Sequence, residues 1–397
     1  MTKKGIAGGV VHTMKKNTLW ALAAIAFAAG IIFVLPRMEE RMKEARDAGD
    51  SGKWIEAAMA SKKCEAVETE EPYPSSYQGP LIDAHMHVPS IPDGPFRKSD
   101  GYMERLVMGA NVTMADYVCL MESEGITKVF AFFPVWEPIV DESLSLVKQT
   151  MSAYGAHFVP FIMPPDRDDR ADGFPTVTAK ELRNMLEVYP NLFQGYGEIG
   201  LYERGDHGGP RGAPALPPDS QRLEAIYPVI RKHNLVVYFH LGRGQQESFE
   251  KILSENPDIN FIWHGDQLIP YEEEGRQNLK YIDEILSRHR NAYYEVDELY
   301  GDVWLLKPEA RKEDFLAHFR DYEPLLEKDL ETWKHFIEKH PDQVLWGTDW
   351  GAGVSWSLDA EVGGALIRYS RAFMGRLTPD VQEKYAYKNA EKLLSGR

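Results

Sequence analysis

Two histidines, His85 and His87, lie one residue apart in "LIDAHMHV", at the end of an apolar run. Residues i and i+2 of a β-strand point to the same face, so both imidazoles would project together. A neutral imidazole is the commonest metal ligand among side chains, although a lone histidine at a strand end is more often a hydrogen-bonded structural residue. The pair therefore raises a metal-site hypothesis that the rest of the chain has to support.

Four further polar residues end or follow later apolar runs: Glu198 in "YGEIGL", His240 after "VVYF", His264 after "FIW" and Asp349 in "LWGTDW". Each alone has a structural explanation, such as a helix cap. Collecting four imidazoles and two carboxylates in one place is costly unless a cation offsets their charge and desolvation. The mixture of nitrogen and oxygen donors suits Zn²⁺ best, with Mn²⁺, Fe²⁺ and Ni²⁺ as alternatives.

The elements that would position these residues begin near Pro80. Eight short apolar runs alternate with amphipathic helical patterns through residues 80–397. This alternation predicts a parallel sheet with right-handed crossovers, and eight units predict a (β/α)8 TIM barrel, with an open doubly wound sheet as the alternative. Because the carboxyl ends of barrel strands form one face, the polar residues at those ends are expected to converge.

The motifs "DAHMH", "GEIGL", "VYFH", "IWHG" and "LWGTDW", in this order, resemble the amidohydrolase superfamily, and "YAYKNAEKLL" is similar to the end of its amidohydrolase-related branch. The resemblance covers roughly residues 80–394. "GEIGL" itself looks like a motif of the deoxyribonuclease-like branch. The resemblance implies a metal-dependent TIM-barrel hydrolase, in which metal-activated water attacks an amide, lactone or ester of a small molecule.

The resemblance also implies ligand roles. His85 and His87 would bind the metal from the first strand and His240 from the fifth, while Asp349 would bind it and also move protons. The number of these ligands does not decide whether the site holds one metal ion or two.

Three residues have less definite expected roles. His264 would bind a second ion or polarise the substrate carbonyl, and Glu198 matches a carboxylate that can bridge two ions. Arg243, in "HLGRGQQ", could clamp a carboxylate or phosphate of the substrate, although a surface arginine explains it equally well.

Three other functions compete with hydrolysis. The amidohydrolase-related branch includes decarboxylases, so a lyase acting on an aromatic or unsaturated carboxylic acid is the nearest alternative. A barrel that keeps a metal only for stability and binds a partner is a second alternative. A nuclease is the third, but the formal net charge of −16 disfavours nucleic acid as a partner.

The N-terminus differs from the rest of the chain. Lysines precede an uncharged stretch, Leu19–Leu35, whose 17 residues would form a helix of about 25 Å. We expect a membrane anchor in residues 1–36, a charged stalk and linker in 37–79, and the catalytic domain in 80–397. Positive charge before the apolar stretch predicts a single-pass protein with its catalytic domain outside the cytoplasm, in the periplasm. Secretion after signal cleavage is the alternative.

The chain has two cysteines, Cys64 in the polar linker and Cys119 in a helical apolar pattern. Two are too few for a disulfide framework, and their spacing does not match a zinc finger. The sequence leaves open whether they form a bridge, and the pattern around Cys119 favours a core position.

Overall fold

The computed structural model describes residues 55–56, 58–60, 64, 73–88, 113–136, 140–165, 172–202, 215–242, 244–265, 272–296, 299, 311–350 and 359–395. The chain divides into two units, Met1–Lys53 and Trp54–Arg397, and the first lies outside these residues. The predicted membrane anchor, most of the predicted stalk and Arg243 also lie outside them. Within the ranges described, no helix is both long and apolar enough to cross a bilayer.

Eight parallel strands form one sheet whose spatial order follows the chain. They are β1 Leu81–His87, β2 Ile126–Pro134, β3 Phe158–Met163, β4 Gly195–Gly200, β5 Val236–His240, β6 Phe261–Trp263, β7 Ala292–Val296 and β8 Val344–Trp346. The first strand meets the turn after the last strand at a bridge between Met86 and Trp350, where the backbone N–H of His87 donates to the carbonyl of Trp350 at 3.1 Å. The sheet is therefore a nearly closed barrel, and the predicted (β/α)8 architecture is confirmed.

Helices connect the strands and pack outside them. They are α1 Met114–Glu124, α2 Val140–Tyr154, α3 Ala179–Val188, α4 Gln221–Glu224, α5 Tyr227–His233, α6 Gln246–Glu255, α7 Glu272–Arg288, α8 Lys312–His318, α9 Tyr322–Asp329, α10 His335–Lys339, α11 Ala360–Met374, α12 Pro379–Glu383 and α13 Asn389–Ser395. The pattern "SQRLEAIYPVIRKHN" indicates one helix, but the structure has two, α4 and α5. Pro228 lies in the first turn of α5, where its missing N–H is tolerated, which is why the helix restarts there.

Side chains alternate between the barrel interior and the helix layer. On β2, Phe130 and Phe132 belong to the inner cluster, whereas Val129 and Ala131 pack with the outer core. The ring of Phe132 lies 5.1 Å from that of Tyr238 on β5, so these two side chains meet across the interior. Because every second residue of a strand faces the same side, the inward-facing positions continue to the carboxyl ends of the strands, where the candidate site lies.

Part of the predicted linker packs against the barrel. Ile55, Ala58 and Tyr77 are buried, and Cys64 forms a disulfide with Cys119 of α1. Cys119 is half-buried rather than in the core, because its sulfur faces the linker. Apolar burial and the covalent bond together hold these stretches on the domain.

Breaking this disulfide is expected to destabilise the domain. The bridge spans a sequence separation of 55 residues, and closing loops of that size restricts the unfolded chain. We expect reduction to lower the free energy of unfolding by about 2–4 kcal/mol, as measured by denaturant titration with tryptophan fluorescence. The double variant C64S/C119S is the control, since reductant should not change its midpoint. An unchanged midpoint for the reduced wild type would contradict the prediction.

Asp329, the last residue of α9, is expected to make the free energy of unfolding depend on pH. Burial raises its pKa to about 8 from an ordinary value of 3.8, although the hydroxyl of Tyr369 donates to its Oδ2 at 2.5 Å and partly opposes the rise. Between pH 4 and 8 the folded state thus retains a proton that the unfolded chain has lost, so this group makes stability fall as pH increases.

The substitution Asp329→Asn removes this pH-dependent loss and keeps an acceptor for Tyr369. We expect the variant to melt several degrees above the wild type at pH 8 and close to it at pH 4, as measured by calorimetry at both values. The same difference in melting temperature at both pH values would contradict this account.

Candidate metal centre

The two histidines of β1 lie at the centre of the site. His85 is fully buried and His87 is 7% exposed, and their Nε2 atoms are 3.2 Å apart. Oδ1 of Asp349 lies 3.4 Å from Nε2 of His85 and 3.1 Å from Nε2 of His87. These three residues, two from β1 and one from the turn after β8, form one compact group of possible metal ligands.

Glu198 of β4 lies between this group and a second pair of imidazoles. Its Oε2 is 3.6 Å from Nε2 of His85 and 3.7 Å from Nε2 of His87. Its Oε1 is 2.6 Å from Nδ1 of His240 and 3.8 Å from Nε2 of His264. One carboxylate therefore faces all four histidines, which is the position required of a bridging ligand.

The strand period explains the direction of two of these side chains. His240 follows the inward-facing Tyr238 by two residues on β5, and His264 follows Ile262 in the same way beyond β6. At Glu198 the preceding residue has to be small, because a Cβ at Gly197, whose φ is +143°, would lie 2.3 Å from the carbonyl oxygen of Tyr238.

A buried acid on β1 holds the turn that carries Asp349. The carboxylate of Asp83 accepts from the hydroxyl of Thr348 at 2.6 Å and from the backbone N–H of Thr348 at 3.1 Å. The same hydroxyl accepts from the N–H of Trp350 at 3.1 Å. Asp349 has a left-handed φ of 47°, an uncommon conformation for a residue other than glycine. These bonds fix it in that conformation.

Burial and charge oppose each other at these groups. Burial alone would lower the pKa of the His85 imidazole, but the carboxylates of Asp349, Glu198 and Glu295 together raise it well above its ordinary value. Burial would likewise raise the pKa of the Glu198 carboxyl, yet the imidazoles of His264 and His240 hold it well below its usual range. The buried carboxylates thus require positive charge beside them.

A divalent cation fits this donor set. Oδ1 of Asp349 is buried and accepts no hydrogen bond from the residues that the structure describes, although two Nε2 atoms lie beside it. Neighbouring ligands of a tetrahedral Zn²⁺ lie about 3.3 Å apart when the bonds are about 2.0–2.1 Å long. The three separations among His85, His87 and Asp349 are 3.2, 3.4 and 3.1 Å, which match that spacing.

All six predicted ligands therefore come together, while Arg243 lies outside the described residues. Metal binding by each of the six stays a prediction. Sequence reasoning missed two buried acids, Asp83 and Glu295. Glu295 lies inside the apolar run "AYYEV", two residues after the inward-facing Tyr293, and that alternation is a signal that could have identified it.

The sequence from residue 82 to residue 396 matches the family model described as amidohydrolase. The chain belongs to the amidohydrolase family. Family membership makes this amidohydrolase a metal-dependent enzyme of the hydrolase type, as the resemblance of its motifs predicts. The similarity of "GEIGL" to the deoxyribonuclease-like branch stays a prediction.

Solved structures also match this amidohydrolase at low identity. An amidohydrolase from Burkholderia multivorans is 12% identical, covers 80% of this chain and 99% of its own, and has a TM-score of 0.47. Dihydroorotase from Campylobacter jejuni is 13% identical, covers 79% of this chain and 82% of its own, and has a TM-score of 0.46. A dihydroxybenzoic acid decarboxylase from Polaromonas sp. JS666, solved with bound manganese, is 13% identical, covers 81% of this chain and 98% of its own, and has a TM-score of 0.43. A comparison with curated proteins gives no significant match.

Proposed function

We propose that this amidohydrolase hydrolyses an amide, lactone or ester of a small molecule with one or two divalent ions, Zn²⁺ in the first instance and Mn²⁺ as the alternative. Six side chains would hold the metal: His85, His87, Glu198, His240, His264 and Asp349. A bound ion would lower the pKa of water toward neutrality and polarise a carbonyl group.

The side chains of the protein would supply the proton transfers. Asp349 takes a proton from the attacking water and returns it to the leaving group, acting first as general base and then as general acid. Its Oδ1 faces the two Nε2 atoms of the ligand group, which leaves the second oxygen of the carboxylate for this task.

His264 acts as a ligand rather than as a hydrogen-bond donor to the carbonyl. Its Nδ1 lies 3.0 Å from Oε2 of Glu295 and donates to that carboxylate. A neutral imidazole carries one proton, so Nε2 of His264 then presents a lone pair. This contact supports the first of the two roles that the family resemblance implies for His264.

The position of Glu198 is the observation that carries the proposal. A carboxylate between two imidazole pairs can bridge two ions and favours the activation of water, which hydrolysis needs and decarboxylation does not. The test is an assay of the purified full-length protein, loaded with Zn²⁺ or Mn²⁺, against small lactones, esters and amides and against aromatic carboxylic acids. Hydrolysis that Glu198→Gln abolishes supports the proposal. Release of CO₂ without any hydrolysis would assign the lyase reaction instead.

We also propose that the N-terminal segment anchors the enzyme in the cytoplasmic membrane with the barrel in the periplasm. The lysines before Leu19–Leu35 and the pairing of Cys64 with Cys119 support this, because structural disulfides persist in oxidising compartments. Cell fractionation combined with thiol labelling tests it, and we expect the protein in the membrane fraction with both thiols unreactive until reduction. A soluble periplasmic protein would indicate signal cleavage, and reactive thiols would contradict an oxidising location.

A further inference from the structure

Glu295, on β7, contacts two of the proposed ligands from behind. It is fully buried, and its Oε2 lies 3.0 Å from Nδ1 of His264 and 3.6 Å from Nδ1 of His85. Those two Nδ1 atoms are only 3.1 Å apart. One carboxylate oxygen thus faces the rear nitrogens of two imidazoles whose Nε2 atoms point toward the other proposed ligands.

The close approach of the two Nδ1 atoms has a chemical consequence. If both Nε2 atoms present lone pairs to a metal, both Nδ1 atoms carry protons, and two N–H groups 3.1 Å apart repel each other. A shared anionic acceptor offsets that repulsion and fixes both ring orientations. The hydroxyl of Tyr238 lies 3.5 Å from Nδ1 of His85, about as close as Oε2 of Glu295, but it is neutral and therefore offsets the repulsion less.

Barrel packing alone does not account for Glu295. Its second oxygen, Oε1, is buried and accepts no hydrogen bond from any residue that the structure describes. Leaving a carboxylate oxygen unpaired is costly, and an apolar side chain would fill an inward position beside Tyr293 without that cost. The chain also leaves room for the carboxylate, because a Cβ on Gly347 would lie 1.8 Å from Oε1.

We propose that Glu295 is a positioning residue: its carboxylate accepts from Nδ1 of His264 and faces Nδ1 of His85, and so aims both Nε2 atoms at the metal. This inference rests on the proposed metal-dependent function. Carboxylates behind metal-binding histidines fix the tautomer and orientation of the ring, and their loss usually weakens metal affinity about 10–100-fold.

The test measures Zn²⁺ affinity by chelator competition on full-length variants, without any substrate. We expect Glu295→Gln, which keeps one acceptor oxygen, to weaken binding about tenfold and Glu295→Ala to weaken it about 100-fold. The matched control is Asp329→Asn, which neutralises another buried acid that is bonded to Tyr369, and its affinity should equal that of the wild type. Equal affinity in Glu295→Ala and the wild type would overturn the proposal.

Two further measurements separate this role from others. His85, His264 and Glu295 could themselves hold an ion, and Glu295→Gln would then lose one ion per chain while the remaining ion bound normally. That outcome overturns a positioning role. If Glu295→Ala does not fold, the nearly isosteric Glu295→Gln, with its melting temperature and the d–d absorption of bound Co²⁺ as readouts, decides the question. A changed Co²⁺ spectrum at an unchanged melting temperature supports positioning, and an unchanged spectrum contradicts it.

Gly347 gives an independent check. The variant Gly347→Ala should weaken Zn²⁺ binding by displacing the carboxylate, and should weaken it less in a Glu295→Ala background, where the methyl group meets only the Cβ of His85, at 3.1 Å. Equal losses in both backgrounds would contradict the proposal. Failure of the proposed function can be told apart from failure of this inference. If the wild type binds metal but hydrolyses nothing, the proposed function fails while the affinity test of Glu295 can still be carried out.

Discussion

Replacing Asp349 with Asn is expected to lower kcat about 10²–10⁴-fold, with a much smaller change in KM. Asn preserves the shape of the side chain and one carbonyl oxygen, but it cannot take a proton from water and return it to the leaving group. The hydrogen bonds that hold this turn are made by Asp83 and Thr348, and the substitution leaves them unchanged.

Steady-state kinetics on the metal-loaded variant measure this effect. Asp258→Asn is the matched control: it is the same chemical change on an exposed residue, paired with Arg231, that precedes β6 at the opposite rim. Its kcat should equal that of the wild type. A kcat for Asp349→Asn within a few-fold of the wild-type value would show that another group moves the proton.

His240→Ala is expected to remove turnover and to deplete the site of metal. His240 is 4% exposed and contributes an imidazole 2.6 Å from Oε1 of Glu198, so alanine deletes one proposed ligand and the nearest hydrogen-bonding group of that carboxylate. The loss of a ligand is expected to weaken metal binding by more than the 10–100-fold effect expected for a residue that only contacts a ligand.

The test measures two quantities on the same samples: the metal content after dialysis, and kcat. His233→Ala, at the end of α5, is the control that removes an imidazole outside the site. If His240→Ala lost stability and metal but not turnover, the metal would be structural. If the wild type bound metal and turned over nothing, the alternative of a binding module would gain support.

The barrel was predictable because strands buried on both faces are near-continuous apolar runs. A polar side chain that ends such a run stands out, and this is how His240 and His264 were identified. The strand period then fixes the face to which each one points. Which residues meet across the barrel depends on its closure, and that closure is visible only in contacts such as the Met86–Trp350 bridge.

Other features depend on contacts that a single sequence does not specify. The run around Glu295 shows that its side chain faces inward, but its role depends on a contact with His264, which follows the neighbouring strand β6. The pairing of Cys64 with Cys119 depends on how the linker returns to α1, and the sequence separation of 55 residues carries no information about that path. Ile55 and Ala58 are apolar residues in a charged stretch, and their burial shows that they help to dock it.

The most direct test of the metal centre is elemental analysis of the purified full-length protein after reconstitution with Zn²⁺ and removal of excess ion. We expect one or two ions per chain in the wild type, and none in the variant His85→Ala, because His85 contacts both His87 and Asp349. A wild type that retains no ion, or a His85→Ala variant that retains the full complement, would contradict the account.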